Sequence, residues 1–522
     1  MTSRMFLLFA LWMSFHSAIC QDYIKAAWGN PFSVQLLNRL SVSYLGSDIE
    51  GSYVVFRNQI SYGSESIQFC KINAAGEIIL KTELRAEFKG KPTEFHAVYN
   101  LKGNFYLFTS FWDKSKHTEY IWANKIDTKG NLVTPAIELS QYKADSYDDL
   151  AGIDFMISQD SSSVIIGQGM VFKVFDKNLT QRWSQKIVMP YSDATTRELT
   201  DFQLSSKNVL HVLFRFSAPR VVTSAGKKEK DRFFYHLSNF NFETGVQREY
   251  IPKVDAVSLS ETSMDLDDKG NVVIAGFYTQ TNKRITDYEA FYSAGFFIKK
   301  YDPINQTELI NEQYAYTPAL LRQLVPDKDL ESKEEVIWGF FMDKIKFKAD
   351  GSIILVARKS YSIFDGVSKE LEERNVVGRT SHQFQQLIAA SLDSKGKLIW
   401  MNSVPILHST KDVLNFRYYS YLLGITNSYV FFIYNENPRN LTIADPRDFV
   451  HMDGPNKCRA SSMVKIDQSG TMSKSQIFDT ANQKPITYLE PEYCIPLSNT
   501  QYILFSSNKT LSKIGYLDFI DR

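Results

Sequence analysis

Few residues in this sequence stand at spacings that could do chemistry. Asp445, Asp448, His451 and Asp453 lie close together and could converge on a cation, because hard metal sites gather several oxygen ligands from one loop. Asp145, Asp148 and Asp149 make a second acidic group of the same kind. The stretch Asp265 to Asn271 opens like a calcium loop, but Lys269 occupies a ligand position and no Glu closes it. A hairpin turn is predicted there instead. The histidines are scattered, with no His-Glu-x-x-His pair to suggest zinc. No nucleophile elbow, phosphate loop or dinucleotide fingerprint occurs in the strand-turn-helix context that such motifs need, so no catalytic residue and no cofactor is assigned. Paired carboxylates for glycoside cleavage converge only in space, and the sequence leaves them open.

The elements that must carry these residues are strands. Two kinds of turn alternate along the chain. The first precedes an apolar strand and occurs at Asp48 to Gly51, Asn100 to Gly103, Asp160 to Ser161, Ser206 to Asn208, Asp267 to Gly270, Ala349 to Gly351, Thr426 to Ser428 and Ser498 to Thr500. The second follows a mixed strand, at Asn73 to Gly76, Asp127 to Gly130, Asp176 to Asn178, Asn241 to Gly245, Asp302 to Asn305, Asp393 to Gly396 and Asp467 to Gly470. Gly and Asn recur there because tight turns need positive φ. Each unit therefore reads as a four-stranded antiparallel meander, repeated eight times along 522 residues. Such a sheet cannot bury both faces alone, so the units must stack.

Radial stacking predicts an all-β fold, a β-propeller of eight four-stranded blades, with seven as the alternative if one meander is a decorated hairpin. The last unit runs out of residues after three strands. Phe32 to Leu37 alternates like a strand, and is expected to complete that blade and remove an open edge. The spare residues fall mainly between second and third strands, at Trp112 to Tyr120, Ser217 to Asp231, Thr279 to Ser293, Ser360 to His382 and Asn435 to Cys458. Pro318 to Glu335 lengthens one link between blades. All these connections are expected on one face, where binding sites usually sit.

The N-terminus reads as a secretory leader over residues 1–20: Arg4, an apolar run from Met5 to Phe15, then Ala18 and Cys20 before a cut at Gln21. Lipidation of Cys20 is the alternative. Residues 21–522 then form one domain, secreted or held at the cell envelope, with no later transmembrane segment. Export permits disulfides, and Cys458 with Cys494 is the pair that topology favours; three buried thiols, Cys70 included, are the other reading. Basic and acidic side chains number 59 and 58, so no field draws nucleic acid or anionic lipid.

Asp176 to Trp183 and Asp393 to Trp400 resemble the Asp-x-x-Gly-x-x-x-Trp blade ending of quinoprotein-like propellers, with Leu179 in place of the first Gly. That resemblance implies eight blades and, in some relatives, a bound quinone or a scaffold role in outer-membrane assembly. The leader followed by degenerate Asp-x-x-Gly meanders also resembles uncharacterised secreted propellers of Bacteroidota. The sequence thus points to a monomeric binding or scaffold module for a protein or glycan; a polysaccharide hydrolase or lyase with funnel carboxylates is the alternative.

Overall fold

The computed structural model describes residues 19–21, 23–33, 39–61, 64–88, 90–191, 194, 197–217, 232–280, 284–285, 290–291, 293–324, 339–365, 379–410, 417–443, 445, 448–452, 460–479, 485–508 and 510–521. The fold is an eight-bladed β-propeller of four-stranded antiparallel sheets. The chain divides into two compact units: Met1–Leu84, His408–Ala444 and Phe449–Arg522 carry blades 1, 7 and 8, and the intervening residues carry blades 2 to 6.

In the larger unit, blade 2 is built from Glu94–Leu101, Asn104–Asp113, Thr118–Ile126 and Leu132–Lys143, and blade 3 from Ile153–Ile157, Ser163–Gln168, Val171–Asp176 and Gln181–Lys186. Blade 4 comprises Arg197–Leu204, Val209–Ser217, Phe233–Asn241 and Gln247–Tyr250; blade 5 comprises Ser258–Leu266, Val272–Thr279, Gly295–Asp302 and Thr307–Ala315. Blade 6 follows with Phe340–Phe347, Ile353–Asp365, Arg379–Leu392 and Leu398–Thr410. From blade 2 through blade 5, the first strand of each blade packs against the first strand of the one after it. Cores form between blades rather than within them. Phe172 and Val174 of blade 3 bury against Phe202 and Phe214 of blade 4, and Leu237 of blade 4 against Ile274 and Phe297 of blade 5. Truncating one such Phe to Ala costs about 3–5 kcal/mol, so the blades hold one another.

The smaller unit holds blade 1 (Arg39–Asp48, Gly51–Ser61, Ser64–Ile72, Ile78–Leu84) and blade 7 (Tyr421–Ile425, Tyr429–Glu436, Ala460–Asp467, Met472–Asp479). Blade 8 joins both chain ends. Its innermost strand is broken into Tyr488–Leu489 and Ile495–Pro496, followed by Gln501–Ser507 and Leu511–Phe519. The closing strand is Ile24–Trp28, running antiparallel to Leu511–Phe519 with Ala26 opposite Leu517. This corrects the expected closing segment. Phe32 and Ser33 do pair with the same strand, opposite Ser512 and Leu511, but as a short continuation; residues 34–37 lie outside the described residues. Ile24 and Ala26 supply the buried face, packed with Leu504, Leu517 and Phe519.

The repeated Asp-x-x-Gly turn has one local cause. Asp127 Oδ1 accepts the amides of Lys129 (2.9 Å) and Asn131 (2.8 Å), which leaves Gly130 at φ +82°. Asp267, Asp393 and Asp467 repeat the arrangement, and Asn73 does so with its amide oxygen. A side chain that caps two amides while the chain reverses is a compact hairpin signal.

Candidate functional site

In an up-and-down sheet, the connection between strands two and three leaves from the same end as the link to the next blade, and the tight turns leave from the other. The long connections therefore gather at one end of each sheet. Two of them are less loop-like than the sequence predicts. Pairing in blade 2 runs out to Asp113 opposite Thr118, and in blade 6 to Asp365 opposite Arg379, so much of each insertion is a lengthened hairpin. In blade 4 the ladder reaches Ser217 opposite Phe233, and residues 218–231 lie outside the described residues. The extra link begins with a helix, Pro318–Leu324, whose Leu320, Leu321 and Leu324 are buried against blades 5 and 6.

Beneath the connections of blades 4 and 6 stands the same constellation. Arg215 on strand two stacks over the Phe233 ring at 4.1 Å and reaches Glu198 on strand one at 3.5 Å. Arg358 stacks over Phe384 at 4.3 Å and Phe341 at 4.8 Å, and faces Asp343 at 3.8 Å. Asp343 sits at a β-bulge between Met342 and Lys344, a device that re-aims a side chain at a sheet edge. Aromatic stacking holds each guanidinium in a fixed plane at the loop base. A groove of about 470 Å³ adjoins Phe233, lined by Arg232, Phe234, Lys253, Val254 and Asp255. A larger one, about 790 Å³, lies at the opposite end among tight turns, where Asp176 is committed to capping the amides of Asn178 and Thr180.

Blade 2 carries an aromatic corner. A short turn, Tyr147–Asp149, is fixed by Ser146, whose hydroxyl and amide both donate to the Asp149 carboxylate at 2.7 and 3.0 Å. It holds Tyr147 with 51% of its surface exposed and its hydroxyl on Glu94 at 3.1 Å. Trp112 meets Tyr147 at 6.4 Å and 64°, and His117 at 6.4 Å and 90°. His117 is itself anchored, its Nδ1 lying 2.7 Å from the Asp145 carbonyl.

The connection of blade 7 is folded back and stitched. Asn440 donates to the Val450 carbonyl (3.0 Å) and accepts the Val450 amide (2.7 Å), while Asn437 donates to the His451 carbonyl (3.3 Å). Met452 forms a bridge with buried His408. Of the proposed cation ligands, the Asp448 amide donates to the Asp445 carbonyl at 3.0 Å, and Asp453 lies outside the described residues. Among the described residues no group of three or more His, Cys, Asp or Glu could hold a metal ion. Cys458 is likewise outside the described residues. Cys494 is buried, its Sγ 3.3 Å from the Phe505 amide. Beside it Glu490 is fully buried against the Ser507 hydroxyl (2.5 Å) and Arg417 Nε (3.3 Å), a polar knot that joins the broken strand of blade 8 to its neighbours.

Two carboxylates stand on the first strands of adjacent blades. Burial pushes Asp201 up to about 6, against the amides of Phe202 and Met264 that hold it down. Asp265 is raised by burial as well, and its charge adds to the rise at Asp201. Gln203 beside them donates to the Met264 carbonyl at 2.7 Å. Sequence reading missed both carboxylates, the stacked arginines and the Trp112 corner, because each depends on which blades become neighbours.

No protein-family model and no curated protein matches the sequence. Solved structures that are similar include the WD40 domain of SCAP from fission yeast, at 9% identity over 94% of this chain and 96% of that one, TM-score 0.40. A member of the duf4221 family from Bacteroides vulgatus is 9% identical over 88% of this chain and 100% of that one, TM-score 0.29. An ulvan lyase of a new polysaccharide lyase family, bound to a glucuronate–rhamnose sulfate unit, is 8% identical over 85% of this chain and 96% of that one, TM-score 0.36. The fold rests on the sheet topology above, not on these likenesses. No helix among the described residues is long and apolar enough to cross a membrane.

Proposed function

We propose that this chain is an exported, monomeric binding or scaffold propeller that engages a protein or glycan through the loop-bearing ends of its blades. The observation that carries this reading is the matching arginine–aromatic stack beneath the connections of blades 4 and 6. The ladders of both blades continue to the base of each connection. Rigid sheet that lifts variable chain is how loops acquire binding roles. Because pairing survives to Ser217–Phe233 and Asp365–Arg379, residues 218–232 and 366–378 can each be replaced by an Asn-Gly turn without disturbing the sheet. Partners and glycans retained by the intact protein are then measured against both excised forms, with circular dichroism to show that the fold persists. Loss of retention supports the reading; an unchanged set of ligands from both forms ends it.

A polysaccharide hydrolase or lyase is the second reading, favoured by one observation: Asp201 and Asp265, both raised, on adjacent first strands. Release of reducing ends from a polysaccharide panel by the intact protein, abolished in Asp201→Asn, would establish it. Their engagement with backbone amides speaks for a structural role instead.

A further inference from the structure

We infer that the aromatic corner of blade 2 binds an organic ammonium group, a lysine side chain or its methylated form on a protein partner; this rests on the binding reading above. Three features carry the assignment. The rings are steeply inclined to one another, Tyr147 to Trp112 by 64° and His117 to Trp112 by 90°, so they form a corner rather than a flat platform. Sugars favour broad parallel faces, whereas a compact cation favours several ring faces turned toward one point. The corner is also preset. The Ser146–Asp149 turn fixes the Tyr147 backbone, Glu94 fixes its hydroxyl, and the Asp145 carbonyl fixes His117. A site whose rings need no rearrangement loses little entropy on binding.

The local charge selects the occupant. Glu94 and Asp148 are exposed beside the rings, with Asp145 and Asp149 on the same link. Lys116, beside His117 in the chain, lies over the Tyr120 ring with its amine 3.4 Å from that hydroxyl. Lys114 and Lys143 flank the hairpin without reversing the balance. The carboxylate field raises the Tyr147 phenol, with Glu94 as the largest contributor. An anionic glycan would meet repulsion here, and a cation would meet both ring faces and carboxylates.

The test uses the whole chain. Tetramethylammonium, Nε-trimethyl-lysine amide, the neutral isostere 3,3-dimethylbutanol and a neutral oligosaccharide are titrated by calorimetry, with the indole NMR signal of Trp112 followed in every form that retains it. Saturable binding of both ammonium probes is expected, at least fivefold tighter than the neutral isostere. Trp112→Ala and Tyr147→Ala should each weaken it tenfold or more, and Glu94→Gln about threefold. Tyr147 lies on an exposed turn, so its variant reports even where Trp112→Ala does not fold. Equal binding of the isostere overturns the inference, and so does saturable binding of the oligosaccharide alone, which would make the corner a sugar platform. If ammonium probes do not bind while loop excision in blades 4 and 6 still abolishes ligand retention, the corner fails and the binding reading stands.

Discussion

His211 and His408 are buried imidazoles held far below their free value. Burial brings each down to about 4 from 6.5, despite a 2.7 Å contact from His211 Nδ1 to Asn239 and from His408 Nε2 to the Asn435 carbonyl. A depressed histidine leaves the folded state unprotonated while the unfolded chain takes up a proton, so stability is intact above pH 6.5 and drains toward pH 4. Each adds up to ~1.4 kcal/mol of loss per pH unit across that window. Urea titrations of His211→Gln over this range should show a shallower acid slope than the parent; an equal slope would refute the account. Asp201 runs the other way. Its raised carboxyl keeps a proton that the unfolded chain gives up, so its contribution is favourable in acid and lost as pH rises through about 6. Asp201→Asn should therefore stabilise the protein at neutral pH by about 1–3 kcal/mol and not in acid. Thermal unfolding at the two conditions separates these effects.

At the level of turns and strands, much was legible beforehand. The Asp-x-x-Gly spacing marks a carboxylate that caps two amides and a glycine that accepts positive φ, and both are local demands. Leu179 shows why the pattern breaks. It adopts φ +63° where Gly is easiest, yet its side chain is buried in the core between blades 2 and 3. Relief of strain by Leu179→Gly is worth ~1 kcal/mol, while burial of a leucine is worth ~2–3 kcal/mol, so the substitution should destabilise by about 1–2 kcal/mol. Denaturant midpoints would test that sign. What sequence could not supply was the length of the hairpins of blades 2 and 6, since polar and aromatic residues alternate there much as they do in loops. Nor could it reveal that Asn440, within Asn440-Leu-Thr442, spends both amide atoms on Val450. That buried acceptor should remain unglycosylated in the folded protein, where exposed Asn178 is open to modification; peptide mass mapping after passage through a eukaryotic secretory route distinguishes them.

For the molecule as a whole, the decisive contact joins residues from opposite ends of the chain. The count of eight blades and the closure by an N-terminal strand were both readable, since the last meander lacks a fourth strand. The segment itself was misplaced because Phe32 to Leu37 alternates more cleanly than Ile24 to Trp28, where apolar Ala27 takes an exposed position and blurs the pattern. Partnership across the sheet decided it: Ile24 and Ala26 find a core with Leu517 and Phe519. A chain lacking residues 1–30 should expose the edge of Leu511–Phe519 and aggregate, and a peptide of residues 19–33 added in trans should restore solubility, as light scattering would show.

The Tyr23 carbonyl and the Ile520 amide are 2.9 Å apart. Where the polypeptide starts is therefore arbitrary for this architecture. Ligating residue 23 to residue 521 through a few glycines, and reopening the backbone between Ser217 and Phe233, should yield a permuted protein with the same sheets. In it the last blade would assemble from neighbouring sequence instead of waiting for the ribosome to finish.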